Sequence, residues 1–118
     1  MSVYFYDTYA LAKLVLGDKE YEKYDQFDIV TSKLNLIELY LFMLRNKIEK
    51  PENIYYMFKE STLDIHDKTI FEAMKLKKER SKISYVDAIG YVIAQNEKVK
   101  FLTGDEEFKG MKNVEFQK

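Results

Sequence analysis

Val3-Tyr4-Phe5-Tyr6-Asp7-Thr8 is a short β-prone run that ends on an acid. Tyr9-Ala10-Leu11-Ala12-Lys13-Leu14-Val15-Leu16 follows at once with helical spacing and stops at Gly17. Asp7 or Thr8 is placed to cap the helix that this junction starts. The alternation continues along the chain. Apolar or alternating runs predict strands over 2–6, 28–31, 62–65, 98–103 and 113–117, the last short and suited to a sheet edge. Helical patterns fill the intervals at 8–16, 19–24, 33–47, 51–60, 67–80 and 84–96, with Pro51 in the first turn of one and Ser84 opening a capping-box pattern with Asp87 in another. Strands that alternate with helices argue for an α/β fold with a largely parallel sheet, because parallel neighbours need crossover connections.

Four acids interrupt or abut apolar runs: Asp7, Glu38, Asp87 and Asp105. Glu38 lies in Leu34-Asn35-Leu36-Ile37-Glu38-Leu39-Tyr40-Leu41-Phe42-Met43-Leu44, where nine of eleven residues are apolar or Tyr. On a helix that apolar, the carboxylate is expected to meet apolar neighbours, at a cost of several kcal/mol unless it is paired or coordinated. Asp7 and Asp105 both follow a predicted strand, where open parallel sheets gather their ligands. Each acid also has a local reading. Asp7 suits a helix cap, Asp87 the dipole of a first helical turn, and Asp105 a polar turn after Thr103-Gly104. Carboxylates brought together raise one another's pKa, and a divalent cation relieves that repulsion.

Composition narrows the chemistry. At 118 residues the chain reads as a single domain, 1–118, large enough to bury a core without staples. Cysteine is absent, which leaves oxygen ligands as the main route to a metal and favours a hard cation such as magnesium or manganese. No apolar run is long enough for a membrane span, and Met1-Ser2-Val3 carries no basic leader, so a cytoplasmic protein is expected. No Gly-rich phosphate loop suggests a nucleotide cofactor. The 19 basic and 20 acidic residues nearly cancel, but Lys75, Lys77, Lys78, Arg80 and Lys82 concentrate five cations in eight residues. They form either a solvated helix end or a contact to a phosphate backbone. His66, the only histidine, is expected at the surface or at a cap. Tyr21, Tyr24, Tyr55 and Tyr56 are either core or a partner-facing surface.

In order and spacing, Tyr4-Phe5-Tyr6-Asp7-Thr8, Asn35-Leu36-Ile37-Glu38, Ser84-Tyr85-Val86-Asp87-Ala88-Ile89 and Phe101-Leu102-Thr103-Gly104-Asp105-Glu106-Glu107-Phe108 resemble the PIN domain, a family of metal-dependent ribonucleases that includes VapC-type toxins. The resemblance covers the whole chain. It implies a three-layer α/β/α fold whose central, mostly parallel sheet has four to five strands. It further implies that Asp7, Glu38, Asp87 and Asp105 converge on one or two magnesium or manganese ions, with Thr8 and Thr103 in support. The implied activity is hydrolysis of single-stranded RNA to leave a 5′-phosphate and a 3′-hydroxyl. Lys75 to Lys82 would track the substrate backbone. The implied partners are RNA, an antitoxin protein and a second copy of the chain. Tyr9 departs from the pattern, since many relatives carry a small or polar residue there, and it is expected to narrow the mouth of the pocket without removing a ligand.

Other readings share parts of these observations. A non-toxin RNA-processing nuclease, or an inactive protein- or RNA-interaction module, keeps the same fold. A phosphohydrolase with an aspartyl nucleophile would want a second Asp where Tyr9 stands. A receiver domain can use Asp64 and Lys100 but leaves Glu38 unexplained.

Overall fold

β1 (Val3–Tyr6) runs through a single residue, Asp7, into α1 (Thr8–Val15), as the opening sequence requires. The computed structural model describes residues 3–24 and 27–118, so Ser2, the first residue of the expected opening strand, lies outside the described residues. After a 3₁₀ segment (Lys19–Tyr24) come β2 (Asp28–Val30), α2 (Lys33–Arg45), α3 (Pro51–Lys59), α4 (Asp67–Glu79) and α5 (Tyr85–Asn96). The chain closes with β3 (Lys100–Thr103), a 3₁₀ turn (Glu106–Phe108) and β4 (Val114–Phe116). No helix among the described residues is long and apolar enough to cross a membrane.

The sheet is parallel throughout, in the order β2-β1-β3-β4. Thus β1 lies between β2 and β3, and the chain leaves it first to one side and later to the other. The short last strand is at an edge, as expected. The expected strand over 62–65 does not form. Its only pairing is one bridge, Thr31 with Thr62, held by Leu63 N–H donating to the Thr31 carbonyl at 2.8 Å. Apolar alternation there has a different cause: Leu63 and Ile65 pack against the core as the chain passes toward α4. The segment at 19–24 is a 3₁₀ rather than an α-helix, and it buries Tyr21 and Tyr24.

Strand periodicity of two sends alternate residues to opposite faces. Phe5 and Phe101 join Ala88, Ile89 and Val92 of α5 and Ala73 of α4 in one cluster, while Tyr6 and Leu102 join Ala10, Leu11, Leu36, Leu39, Met43 and Phe58 in another. Helices α4 and α5 therefore cover one face, and α1, α2 and α3 the other. That is the three-layer arrangement.

Gly90 sets how closely α5 approaches the sheet. A Cβ at Gly90 would sit 2.8 Å from Cε1 of Phe5 and 3.2 Å from Cε1 of Phe101, two fully buried rings. Gly90→Ala is expected to cost about 1–3 kcal/mol through overpacking, despite the better helix propensity of alanine. Urea unfolding of the two proteins measures it, and an unchanged or more stable variant refutes the close contact.

Candidate active site

β1 and β3 are the pair at which the strand order reverses, and the crevice beyond their carboxyl ends is where open parallel sheets place ligands. Asp7 stands there, with only 1 % of its surface exposed. Its N–H donates to the Leu102 carbonyl at 3.2 Å, which continues the ladder between β1 and β3 by one residue. Its Oδ1 accepts from the Ala10 N–H at 2.8 Å and so caps α1. Its Oδ2 accepts from the Thr103 hydroxyl at the end of β3. Thr103 Oγ1 in turn accepts from the Asp105 N–H at 3.0 Å, and Asp105 Oδ1 accepts from Glu107 N–H at 3.0 Å. The local readings, a cap for Asp7 and a polar turn for Asp105, are thus true, and they do not compete with a site. Capping fixes where each carboxylate points.

Electrostatics couples the acids. Burial pushes the Asp7 carboxyl well above the ordinary range, and the charges of Asp87 and Asp105 push it further, while Thr103 and the Ala10 N–H oppose. Burial raises Asp87 from an ordinary 3.8 to about 6, helped by Glu38 and Asp105 and opposed by the Ser84 hydroxyl. Ser84 caps α5, accepting from the Asp87 N–H at 3.1 Å, which places the Asp87 carboxylate in the first turn. All four acids therefore act on one neighbourhood, and none of the ion pairs formed by described residues includes any of them. Among the described residues, no three carboxylate or imidazole groups are gathered closely enough to hold a metal ion as they stand.

Glu38 corrects the sequence reading. It is exposed, not pressed among apolar groups, because α2 buries Asn35, Leu36, Leu39 and Met43 and leaves its other side uncovered. The other side leaves Ile37, Leu41 and Leu44 about half exposed, at 55 %, 45 % and 51 %. The helix is apolar all round without being buried all round. What directs Glu38 is a hydrogen bond from the Thr8 hydroxyl at 2.6 Å.

Two polar residues of this region escaped the sequence reading. Ser32 caps α2 and donates from its hydroxyl to Asn35 Oδ1 at 2.6 Å. Asn35, fully buried, donates from Nδ2 to Thr8 Oγ1 at 3.2 Å, so a chain of donors runs Asn35, Thr8, Glu38. A burial cost for Asn35 without partners would be several kcal/mol, which the chain removes. The available signal was spacing: Asn35 precedes Glu38 by three residues, one turn on the same helical face.

The basic cluster is only partly brought to the acids. Arg80 and Lys82 line a cleft of about 240 Å³ together with Glu107, two residues past Asp105. Lys77 is turned to its own helix end, with Nζ donating to the Ser81 carbonyl at 2.8 Å and lying 5.2 Å from the Tyr85 ring centre. Lys75 and Lys78 are exposed on α4. A separate cavity of about 530 Å³ lies between α1, β2 and α3, lined by Leu14, Ile29, Ile54 and Phe58 among others, away from the four acids. His66 is exposed before α4 and makes no capping hydrogen bond.

A family model for the PIN domain matches residues 4–114. This chain belongs to the PIN domain family. Solved structures agree with the PIN fold at low sequence identity. A toxin–antitoxin complex from Klebsiella pneumoniae superposes with a TM-score of 0.79 at 19 % identity, covering 94 % of each chain. VapC20 of Mycobacterium tuberculosis, described as a toxin that cleaves the sarcin–ricin loop, gives 0.77 at 17 % identity over 98 % of this chain and 99 % of its own. VapBC2 of Rickettsia felis, bound to a DNA fragment of its promoter, gives 0.71 at 20 % identity over 98 % and 97 %. No curated protein matches the chain by sequence.

The raised carboxyl of Asp87 makes stability depend on pH. Between about 4 and 6 the folded chain keeps a proton that the unfolded chain has released, so stability falls as pH rises through that window and stays lower above it. Asp87→Asn removes the repulsion and keeps the Ser84 cap, which uses the backbone N–H. Without added metal, the variant is expected to be more stable than the parent at pH 7.5 by on the order of 1–2 kcal/mol, with the difference gone below pH 4. Urea unfolding across that range measures it; equal stability at both ends refutes the repulsion.

Proposed function

We propose that this PIN domain is a magnesium- or manganese-dependent endoribonuclease that hydrolyses phosphodiester bonds of single-stranded RNA. The observation that carries the reading is the buried Asp7 carboxylate at the β1–β3 crevice, fixed by Thr103 and the Ala10 N–H and raised by burial and by the charges of Asp87 and Asp105. Perturbed carboxyls gather at functional sites, where their charge is used. The donor set is all oxygen, which fits a hard cation, and magnesium commonly keeps several waters and takes only one or two carboxylates directly. Asp7 and Asp87 are the direct ligands in this reading, and Glu38 and Asp105 act through water. Thr103 and Thr8 hold two of these carboxylates in orientation. A divalent cation bound there supplies Lewis acidity, lowering the pKa of water and stabilising charge on a phosphoryl oxygen. Asp105, turned by its bond to the Glu107 N–H, orients the attacking water. Arg80 and Lys82, beside Glu107, guide the phosphate backbone toward the acids.

The structural relatives support a place in a toxin–antitoxin pair, with this chain as the toxin. The half-exposed stripe Ile37-Leu41-Leu44 on α2, with Tyr56 and Met57 exposed on α3, supports a protein-facing surface for a second copy or an antitoxin. A stand-alone RNA-processing nuclease would share the chemistry and lack the antitoxin gene beside its own.

Purified protein is expected to cut single-stranded RNA with magnesium or manganese and to stop in EDTA. Asp7→Asn and Asp87→Asn should each abolish cleavage with circular dichroism unchanged, since Asn at position 7 can still cap α1 through its carbonyl oxygen. Cleavage retained in both variants overturns the assignment, and stable RNA binding without turnover would favour an interaction module.

A further inference from the structure

Gly104 separates Thr103 from Asp105, and its backbone is not left-handed, so conformational freedom is not why a glycine stands there. Space is the reason. A Cβ at position 104 would fall on Cε1 of Tyr9, 2.5 Å from Cζ of the same ring and 2.7 Å from the Gln117 carbonyl oxygen. The Tyr9 ring occupies the volume that a side chain at 104 would need. Tyr9 lies in the first turn of α1, two residues after Asp7, and its ring also receives the Lys13 ammonium at 5.5 Å from its centre. On the far side, the Gln117 N–H donates to the Thr103 carbonyl at 2.9 Å, and the Tyr21 hydroxyl donates to the Gln117 carbonyl. The Thr103–Asp105 turn is therefore clamped between a ring from α1 and the chain end after β4.

We propose that Tyr9 is a positioning residue whose ring, packed on Gly104, holds Thr103 and Asp105 in register with Asp7. Thr103 Oγ1 both donates to Asp7 and accepts from the Asp105 N–H, so a shift at position 104 disturbs two acids at once. Tyr9 and Gly104 are a matched pair. A large ring at one position requires the absence of a side chain at the other. The functional consequence rests on the metal-nuclease reading above, while the packing itself does not.

The test compares Gly104→Ala, Tyr9→Ala, Tyr9→Phe and the double variant Tyr9→Ala/Gly104→Ala with the parent. Amide hydrogen exchange at Asp105, read by NMR, needs neither metal nor RNA; manganese affinity, read by calorimetry, reports the site. Gly104→Ala is expected to speed exchange at Asp105 and weaken manganese binding about tenfold, the scale of losing a residue that orients a ligand. Tyr9→Phe, which keeps the ring, should match the parent in both. Tyr9→Ala should loosen both, less than Gly104→Ala does. The double variant should recover part of both losses, partial because the Gln117 carbonyl still has to give way. A double variant no better than Gly104→Ala, or a Gly104→Ala protein indistinguishable from the parent, overturns the proposal. If the parent binds no manganese, the metal reading of the site fails, and exchange at Asp105 still decides the clamp.

Discussion

Asp7 joins three parts of the molecule through three separate hydrogen bonds, and the site depends on their agreement. Its N–H extends the β1–β3 ladder, one carboxylate oxygen caps α1, and the other takes the hydroxyl of Thr103. Each bond alone would be ordinary. Together they hold a buried carboxylate in one orientation at the point where strand order reverses, and they satisfy an ionisable group that would otherwise be costly to enclose. The remaining acids are arranged around it. Asp105 is tied to the same Thr103 oxygen, and Asp87 is placed by the cap of α5.

That arrangement trades stability for charge. Burial first, and the charges of neighbouring acids second, raise the carboxyls of Asp7 and Asp87, so that ionising either one costs stability. Aromatic rings pack closely on one face of the sheet. Phe5 stacks on Phe101 at 5.7 Å between ring centres, and Phe108 lies 4.8 Å from Phe101. Phe5 and Phe101 belong to β1 and β3, the two strands whose carboxyl ends form the crevice.

The sequence was legible where one local rule applied. The strand-to-helix junction at Asp7, the Ser84 cap and the edge position of the last strand follow from periodicity and capping, which act over a few residues. It was misleading where burial was inferred from composition. Glu38 sits in an almost wholly apolar stretch and is exposed, because the outer face of α2 is apolar without being covered by this chain. The run at 62–65 has strand-like alternation but makes a single bridge, to Thr31, the residue just past the end of β2 at Val30. The three-residue spacing of Asn35 and Glu38 gains its meaning only once Thr8 is known to lie between them.

The alternation of β1, β2, β3 and β4 with helices, the oxygen-only ligand inventory and the presence of the four acids were determined by the sequence itself, because residue type and short-range spacing suffice for them. Tertiary structure alone decided that a hydroxyl on β3 would meet the acid after β1, ninety-six residues apart in the chain. It alone decided that Asn35 and Thr8 would aim Glu38, and that the ring of Tyr9 would fill the space above Gly104. Those contacts join segments that parallel strand pairing brings together, and no local pattern records which distant residue will arrive at the neighbouring strand's end.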